Sequence, residues 1–183
     1  MPESPDAWLL VVDPQVVFAD PSSPWAVPRF GDAMAVVEQI APLFGQHVLI
    51  SRWIPPVDRQ GSWHAYFQRW AFANRPADDP MFDIVPAVRR LSRFHTIDEP
   101  TFSKWGLRLR SLLGPNPQLV LTGCTTDCCV LATALAAADG GAAVTVIADA
   151  CAGSSDANHA AGLYIMGLYD PQVRIAEAAE VLR

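Results

Sequence analysis

The hydrophobic pattern of this chain alternates between two kinds of segment. Apolar runs of strand length, each nearly uninterrupted, occupy residues 8–12, 48–50, 119–121 and 144–148. Such runs are typical of strands buried on both faces of a parallel sheet. Helical patterns fall between and after them, over residues 32–44, 84–91, 107–113, 129–139 and 155–168. The alternation predicts a three-layer α/β/α, Rossmann-like domain with a mostly parallel sheet and a ligand site at the carboxyl ends of its strands.

The segment over residues 54–83 breaks this rhythm. It is rich in Trp, Arg and Pro, and it is long for a connection in a compact domain. We interpret it as a candidate substrate-shaping loop. Its aromatic and basic residues could form a wall for an acidic or planar substrate, or they could pack a subunit interface, because aromatic residues are enriched in both places. The residues concerned are Arg52, Trp53, Trp63, Tyr66, Arg69 and Trp70.

Size and charge narrow the class of protein. The length of 183 residues suits a single domain spanning 1–183. The apolar runs are too short to span a bilayer and the N-terminus is acidic, so we expect a cytoplasmic protein with no membrane partner. The net charge of −6 and the absence of a dense basic cluster argue against a nucleic-acid partner. A small-molecule substrate is the expected ligand.

The cysteines are clustered rather than spread along the chain. Cys124, Cys128 and Cys129 lie within six residues, and Cys151 follows. This spacing differs from the framework of a disulfide-bonded secreted protein, so we expect reduced thiols. It also lacks the paired spacing and nearby His of a zinc site. No cofactor is expected.

Three residues near predicted strand ends could carry chemistry. Asp13 ends the first apolar run and could be a general base or a turn cap. Cys129 follows a strand and a small-residue turn at the start of an Ala-rich helix, where backbone N–H groups stabilise a thiolate or an oxyanion, although a free Cys is often only a small buried hydrophobe. Lys104 lies between aromatics and could lower a thiol pKa or be an ordinary surface lysine.

Together these segments resemble a known pattern. Residues 11–18 read Val-Val-Asp-x-Gln-x-x-Phe, Lys104 follows Phe-Ser, and residues 123–133 read Gly-x-x-Thr-Asp-x-Cys-Val-x-x-Thr. The pattern is similar to that of the isochorismatase-like hydrolases, which include nicotinamidase and N-carbamoylsarcosine amidase. The resemblance implies that Asp13 is the base, Lys104 the thiolate-stabilising cation and Cys129 the nucleophile. It also implies a cis peptide between Cys124 and Thr125, with the N–H groups of Thr125 and Cys129 directed at an oxyanion.

The chain departs from the nicotinamidases at the end of the second strand. They carry an Asp-x-His element and a further His that hold a metal, whereas this chain has Ser51-Arg52-Trp53 and an isolated His64. We therefore expect metal-independent chemistry, because a metal site needs several converging ligands. The candidate substrate-binding residues are Gln15, Phe18, Arg52, Trp53, Trp63 and Trp105.

The resemblance favours a cysteine-dependent hydrolase that cleaves a small amide-type C–N bond through a thioester on Cys129. Three alternatives stay open: a vinyl ether hydrolase of the isochorismatase type, a thiol redox or sensor protein using Cys128 and Cys129, and a catalytically silent binding module. The resemblance also implies a homodimer or a larger homo-oligomer.

Overall fold

A six-stranded parallel sheet forms the centre of the protein. The computed structural model describes residues 6–182. The strands are β1 (Trp8–Val12), β2 (Val48–Trp53), β3 (Ile97–Glu99), β4 (Gln118–Cys124), β5 (Ala143–Ala152) and β6 (Val173–Ala176). Their order is β3-β2-β1-β4-β5-β6, and each neighbouring pair is parallel. The prediction of a mostly parallel sheet is confirmed.

Eight α-helices connect or flank the strands in the described part of the chain. They are α1 (Val16–Ala19), α2 (Phe30–Ile40), α3 (Ser62–Arg69), α4 (Pro86–Arg89), α5 (Leu107–Leu113), α6 (Leu131–Asp139), α7 (Asp156–Gly167) and α8 (Ala178–Val181). Short 3-10 turns cover Ala41–Phe44, Ala71–Ala73 and Pro80–Phe82, and a π-helical turn, Thr126–Val130, leads into α6. Within residues 6–182, none of the helices has both the length and the apolar character needed to cross a membrane.

The core consists of two apolar clusters, one on each face of the sheet. Strand β1 contributes to both, because successive side chains of a strand point to opposite faces. Leu9 and Val11 join the cluster that contains residues of α2, whereas Leu10 and Val12 join the cluster that contains residues of α6. All four are fully buried. Burial on both faces explains why the run is uninterrupted, and the three-layer arrangement agrees with the prediction.

Two strands, β3 and β6, and three helices, α1, α3 and α8, were not predicted from the hydrophobic pattern. β3 and β6 were not predicted, because they are the edge strands of the sheet, are three and four residues long, and contain charged residues. Residues 54–83 include the helix α3 and two 3-10 turns rather than only loop. In contrast, the helix predicted over residues 84–91 is reduced to the four residues of α4.

The order in which strands are added to the sheet reverses between the neighbouring strands β1 and β4. Strands β2 and β3 lie on one side of β1, whereas β4, β5 and β6 lie on the other. In open parallel sheets, ligands bind in the crevice outside the carboxyl ends of the strands at such a point. Asp13 directly follows β1, and Cys124 ends β4. The fold therefore brings the first and third motifs to this crevice.

Candidate active site

Asp13 is fixed by the neighbouring strand. Its backbone adopts a left-handed conformation (φ 47°) directly after β1, and its side chain is fully buried. Ser51 of β2 accepts a hydrogen bond from the Asp13 backbone N–H at 3.1 Å and donates its hydroxyl proton to Asp13 Oδ1 at 2.7 Å. One carboxylate oxygen is thus oriented by Ser51, a residue whose role was not predicted from the sequence.

The second carboxylate oxygen faces Lys104, which is the single lysine of the sequence. Lys104 Nζ lies 3.0 Å from Asp13 Oδ2, and both side chains have no solvent exposure. Nζ also donates a hydrogen bond to the Thr101 carbonyl at 2.9 Å. Apart from this ion pair, no hydrogen-bond donor of residues 6–182 serves Asp13 Oδ2. That oxygen therefore keeps the capacity to take a proton.

A threonine links Lys104 to the turn that carries Cys129. The Lys104 backbone N–H donates to Thr133 Oγ1 at 2.9 Å, and the Thr133 hydroxyl donates to the Cys129 carbonyl at 2.7 Å. Thr133 is fully buried in α6. It is the last residue of the third motif, and these contacts give it a positioning role that could not be predicted from the sequence.

The turn after β4 is packed against the end of β1. Its Cys124–Thr125 peptide is cis, as the resemblance implied. Gly123 has a φ of 104°, and a Cβ at this position would overlap the backbone of Val12. The Cys124 thiol donates to the Asp13 carbonyl at 3.2 Å. Only glycine therefore allows β1 and β4 to approach closely enough to place this turn beside Asp13.

Cys129 is a buried thiol in contact with its neighbour. Its pKa is raised well above the usual range, first by a hydrogen bond with Cys128, then by burial and by the charge of Asp13, whereas Lys104 opposes these effects. The pKa of Cys128 is lowered because Cys128 receives that hydrogen bond. A raised pKa favours the protonated form of the thiol, so a nucleophilic role for Cys129 requires a base nearby. Asp13 is the buried carboxylate whose charge contributes to the raised pKa of Cys129.

A cavity of about 360 Å³ borders these thiols. Thr125, Cys128 and Cys129 contribute to its lining. The remainder of its wall is largely aromatic and consists mainly of Phe18, Trp25, Trp53, Tyr66, Trp70 and Phe102. Burial raises the pKa of Tyr66, and the two cysteines add to this effect. Cys129 therefore borders a largely apolar cavity that is partly open to solvent.

Three of the candidate substrate-binding residues lie at or next to this cavity. Phe18 and Trp53 line it. Gln15 is fully buried behind the wall, where its amide binds the Trp53 backbone N–H and carbonyl, both at 2.9 Å, and the Phe82 carbonyl at 2.7 Å. Gln15 therefore holds the end of β2 in place rather than lining the cavity.

The other three candidates are not brought to the cavity. Arg52 is bound by Asp98, with Nη2 2.5 Å from Oδ2 and Nε 3.2 Å from Oδ1. Trp63 lies behind the wall, with its ring 6.5 Å from that of Trp53. Trp105 packs against Gly140 at the end of α6. Each of these side chains packs against or binds another residue of the protein, and none of the three lines the cavity. The substrate-binding role expected for them is therefore not supported by their positions.

Trp25 was not among the candidate residues, yet it is the centre of the aromatic wall. Its ring lies 5.0–6.1 Å from the rings of Phe18, Trp53, Tyr66, Trp70 and Phe72. The available signal was a large aromatic residue in the Pro-rich stretch that follows the Asp13 motif.

The residues at the end of β2 do not fit a metal ion. Ser51 is hydrogen-bonded to Asp13, Arg52 is bound by Asp98, and Trp53 offers an indole, so this position supplies neither a carboxylate nor an imidazole ligand. His64 is exposed and contacts Gln68. Among residues 6–182, no group of three or more His, Cys, Asp or Glu side chains is arranged to hold a metal.

Comparisons with known proteins place this geometry in a family. The family model described as the isochorismatase domain matches residues 7–175. A comparison with curated protein sequences gave no match.

Solved structures share the fold at low sequence identity. A cysteine hydrolase from Pseudomonas syringae pv. phaseolicola 1448A is 20% identical, with a TM-score of 0.81 over 100% of this chain and 94% of that one. An isochorismatase-like hydrolase from Alkaliphilus metalliredigens is 15% identical, with a TM-score of 0.76 over 96% of both chains. Nicotinamidase from Bacillus subtilis is 15% identical, with a TM-score of 0.72 over 94% of this chain and 99% of that one.

Proposed function

This chain belongs to the isochorismatase family of hydrolytic enzymes, and we propose that it is a cysteine hydrolase that cleaves a small amide-type C–N bond through a thioester on Cys129. The observation that carries the proposal is the fully buried pair of Asp13 and Lys104, tied through Thr133 to the turn that presents Cys129 to a cavity. A buried ion pair is costly to desolvate, so its position beside a cavity thiol favours a catalytic role.

Acylation begins with the protonated Cys129 thiol. Asp13 Oδ2 accepts the thiol proton while sulfur forms a bond to the substrate carbonyl carbon, and the carbonyl π electrons move to oxygen. The backbone N–H groups of Thr125 and Cys129 are our candidates for the donors that stabilise this oxyanion. The tetrahedral intermediate then collapses, Asp13 returns the proton to nitrogen, the C–N bond breaks, and ammonia or an amine leaves. A thioester remains on Cys129.

Deacylation uses the same base. Asp13 accepts a proton from water as the water oxygen attacks the thioester carbonyl. The second tetrahedral intermediate expels the Cys129 thiolate, which takes up the proton from Asp13, and the carboxylic acid product leaves. Lys104 lies beside Asp13 and is our candidate for the cation that stabilises both Asp13 and the developing thiolate.

The two other chemistries considered for this site make different demands on its thiols. Vinyl ether hydrolysis proceeds without a nucleophilic cysteine, so it gives Cys129 no catalytic role. A redox function would instead need both Cys128 and Cys129, and adjacent cysteines form a strained disulfide. Both alternatives therefore predict a different response to substitution of each thiol.

The test is ammonia release from a panel of small amides by the wild type, Cys129→Ala and the matched control Cys128→Ala. We expect activity in the wild type and in Cys128→Ala, and a loss of at least about 10³-fold in Cys129→Ala, because removing the nucleophile leaves only binding and oxyanion stabilisation. Unchanged ammonia release by Cys129→Ala would exclude the thioester. Loss confined to Cys128→Ala would favour the redox function.

A further inference from the structure

We infer that the substrate carries an uncharged aromatic group and that Asp127 excludes negatively charged analogues. The inference rests on the proposed function of the Cys129 site and adds a substrate class to it. Two independent features of the cavity support it, namely the arrangement of its aromatic wall and the sign of its charge.

The aromatic wall is built to hold a flat group. The ring of Trp25 lies edge-on to those of Trp53 and Trp70, at 5.5 and 5.9 Å, and stacks on Phe18 at 6.1 Å. These contacts fix the ring planes, and aromatic pairs prefer centroid separations of about 4.5–7 Å in stacked or edge-on arrangements. A cavity of about 360 Å³ has room for one small ring system beside a reacting carbonyl.

The basic side chains near the cavity are already neutralised or lie outside it. No Lys, Arg or His of residues 6–182 lines the cavity. Lys104 is paired with Asp13, and Arg52 is paired with Asp98. Arg69 lies over the Trp70 ring at 5.3 Å but is exposed to solvent. An anionic substrate would therefore lose water without gaining a cationic partner.

Asp127 adds a negative charge to the lining itself. Its carboxylate is held by the Ser154 backbone N–H at 2.8 Å and by the Ser154 hydroxyl at 2.7 Å. Both residues line the cavity. In the described part of the chain, Asp127 forms no ion pair with a basic side chain. We therefore expect Asp127 to repel a carboxylate in the cavity, so an anionic substrate is a poor match for this site.

Alkylation of Cys129 by two matched probes tests the cavity without requiring turnover. The probes are N-benzyl iodoacetamide and its 4-carboxybenzyl analogue, which share a reactive carbon and differ in a distant charge. Rates are measured in a Cys128→Ala background, mapped to Cys129 by peptide mass and divided by the rates with glutathione. We expect the neutral probe to react about tenfold faster than the charged one, as repulsion in a site of intermediate dielectric requires.

Two substitutions assign this preference to the residues that carry it. Asp127→Asn keeps acceptor and shape and removes the charge, so the ratio of the two rates should fall to less than about threefold. Trp70→Ala should slow N-benzyl iodoacetamide relative to iodoacetamide itself, whereas the control Trp105→Ala, outside the cavity, should not.

Equal rates for the two probes, a ratio unchanged by Asp127→Asn, or slower reaction of the benzyl probe than of iodoacetamide would overturn the inference. The proposed function fails separately. A protein that selects the neutral probe but hydrolyses no amide would contradict the function alone, whereas hydrolysis that favours carboxylated amides would contradict the substrate class alone.

Discussion

The buried ion pair of Lys104 and Asp13 gives the sharpest test of how the site is held together. Substituting Lys104→Met keeps much of the side-chain length, removes the charge and leaves Asp13 as an uncompensated carboxylate with no solvent exposure. Breaking a buried pair from one side costs about 3–5 kcal/mol, because the remaining charge has neither a partner nor water. For a domain of this size we therefore expect Tm to fall by about 6–20 °C.

An exposed pair with the same separation serves as the control. Arg90 Nη2 lies 3.0 Å from Glu38 Oε2, but the two side chains are 67% and 36% exposed. Arg90→Met should change the free energy of unfolding by less than about 1 kcal/mol, because solvent screens such pairs. Urea and thermal unfolding of both variants measure the difference that burial makes at constant geometry.

The double variant Lys104→Met/Asp13→Asn separates an uncompensated charge from lost packing. It removes the stranded carboxylate and should recover about 2 kcal/mol or more of the loss caused by Lys104→Met alone. A loss of stability in Lys104→Met no larger than that in Arg90→Met would contradict this prediction. A loss in the double variant equal to the sum of the losses in Lys104→Met and Asp13→Asn would also contradict it.

Three further outcomes are expected. Asp13→Asn should abolish hydrolysis, because the site loses the base that accepts the Cys129 proton, and hydrolysis at the wild-type rate would contradict this. Burial raises the pKa of the Cys151 thiol. The stability that the protonated, buried thiol contributes is therefore fully present below the unfolded pKa of about 8.5, and it falls above that pH by up to about 1.4 kcal/mol per pH unit. Urea unfolding from neutral to alkaline pH should show a shallower decline in stability for Cys151→Ala than for the wild type, and an identical decline would contradict this. Gln15→Leu should cost about 3 kcal/mol or more in urea unfolding, because three buried main-chain groups lose their partner, whereas Gln39→Leu at an exposed position should cost little, and equal costs would argue against the positioning role.

The central strands could be predicted from the sequence because each is buried on both faces. β1 was predicted with its observed bounds, since Leu9 to Val12 carry no polar residue. β3 and β6 could not be predicted in the same way. An edge strand pairs on one side only, so short segments such as Ile97–Glu99 can carry charged residues without an apolar run.

Asp13, Lys104 and Cys129 could be singled out from the sequence because the resemblance to the isochorismatase-like hydrolases points to them, and Asp13 and Lys104 lie in contact in the structure. Their partners could not, because Ser51 and Thr133 act through contacts between distant elements. Arg52 shows the limit most clearly. It lies directly opposite Asp98 in the register of β2 and β3, so its charge is bound across the strands. Because β3 was not predicted, its Asp98 was not recognised as the partner of Arg52, and the arginine was taken as a substrate-binding candidate.

The same difficulty applies to the aromatic wall. Trp53 and Trp63 look equivalent in the sequence, yet Trp53 lines the cavity and Trp63 packs behind it. Which side of a helix or strand end faces an opening depends on how α3 docks against β2, and the composition of the segment does not encode this directly.

Acylation of Cys129 is tested most directly by acid-quenched mass spectrometry of the protein during turnover of an uncharged aromatic amide, followed by peptide mapping. We expect a transient mass increase equal to the acyl group on the peptide that contains Cys129, together with ammonia release, and loss of both in Cys129→Ala. Ammonia release that continues in Cys129→Ala, with no acyl group on any cysteine, would contradict it.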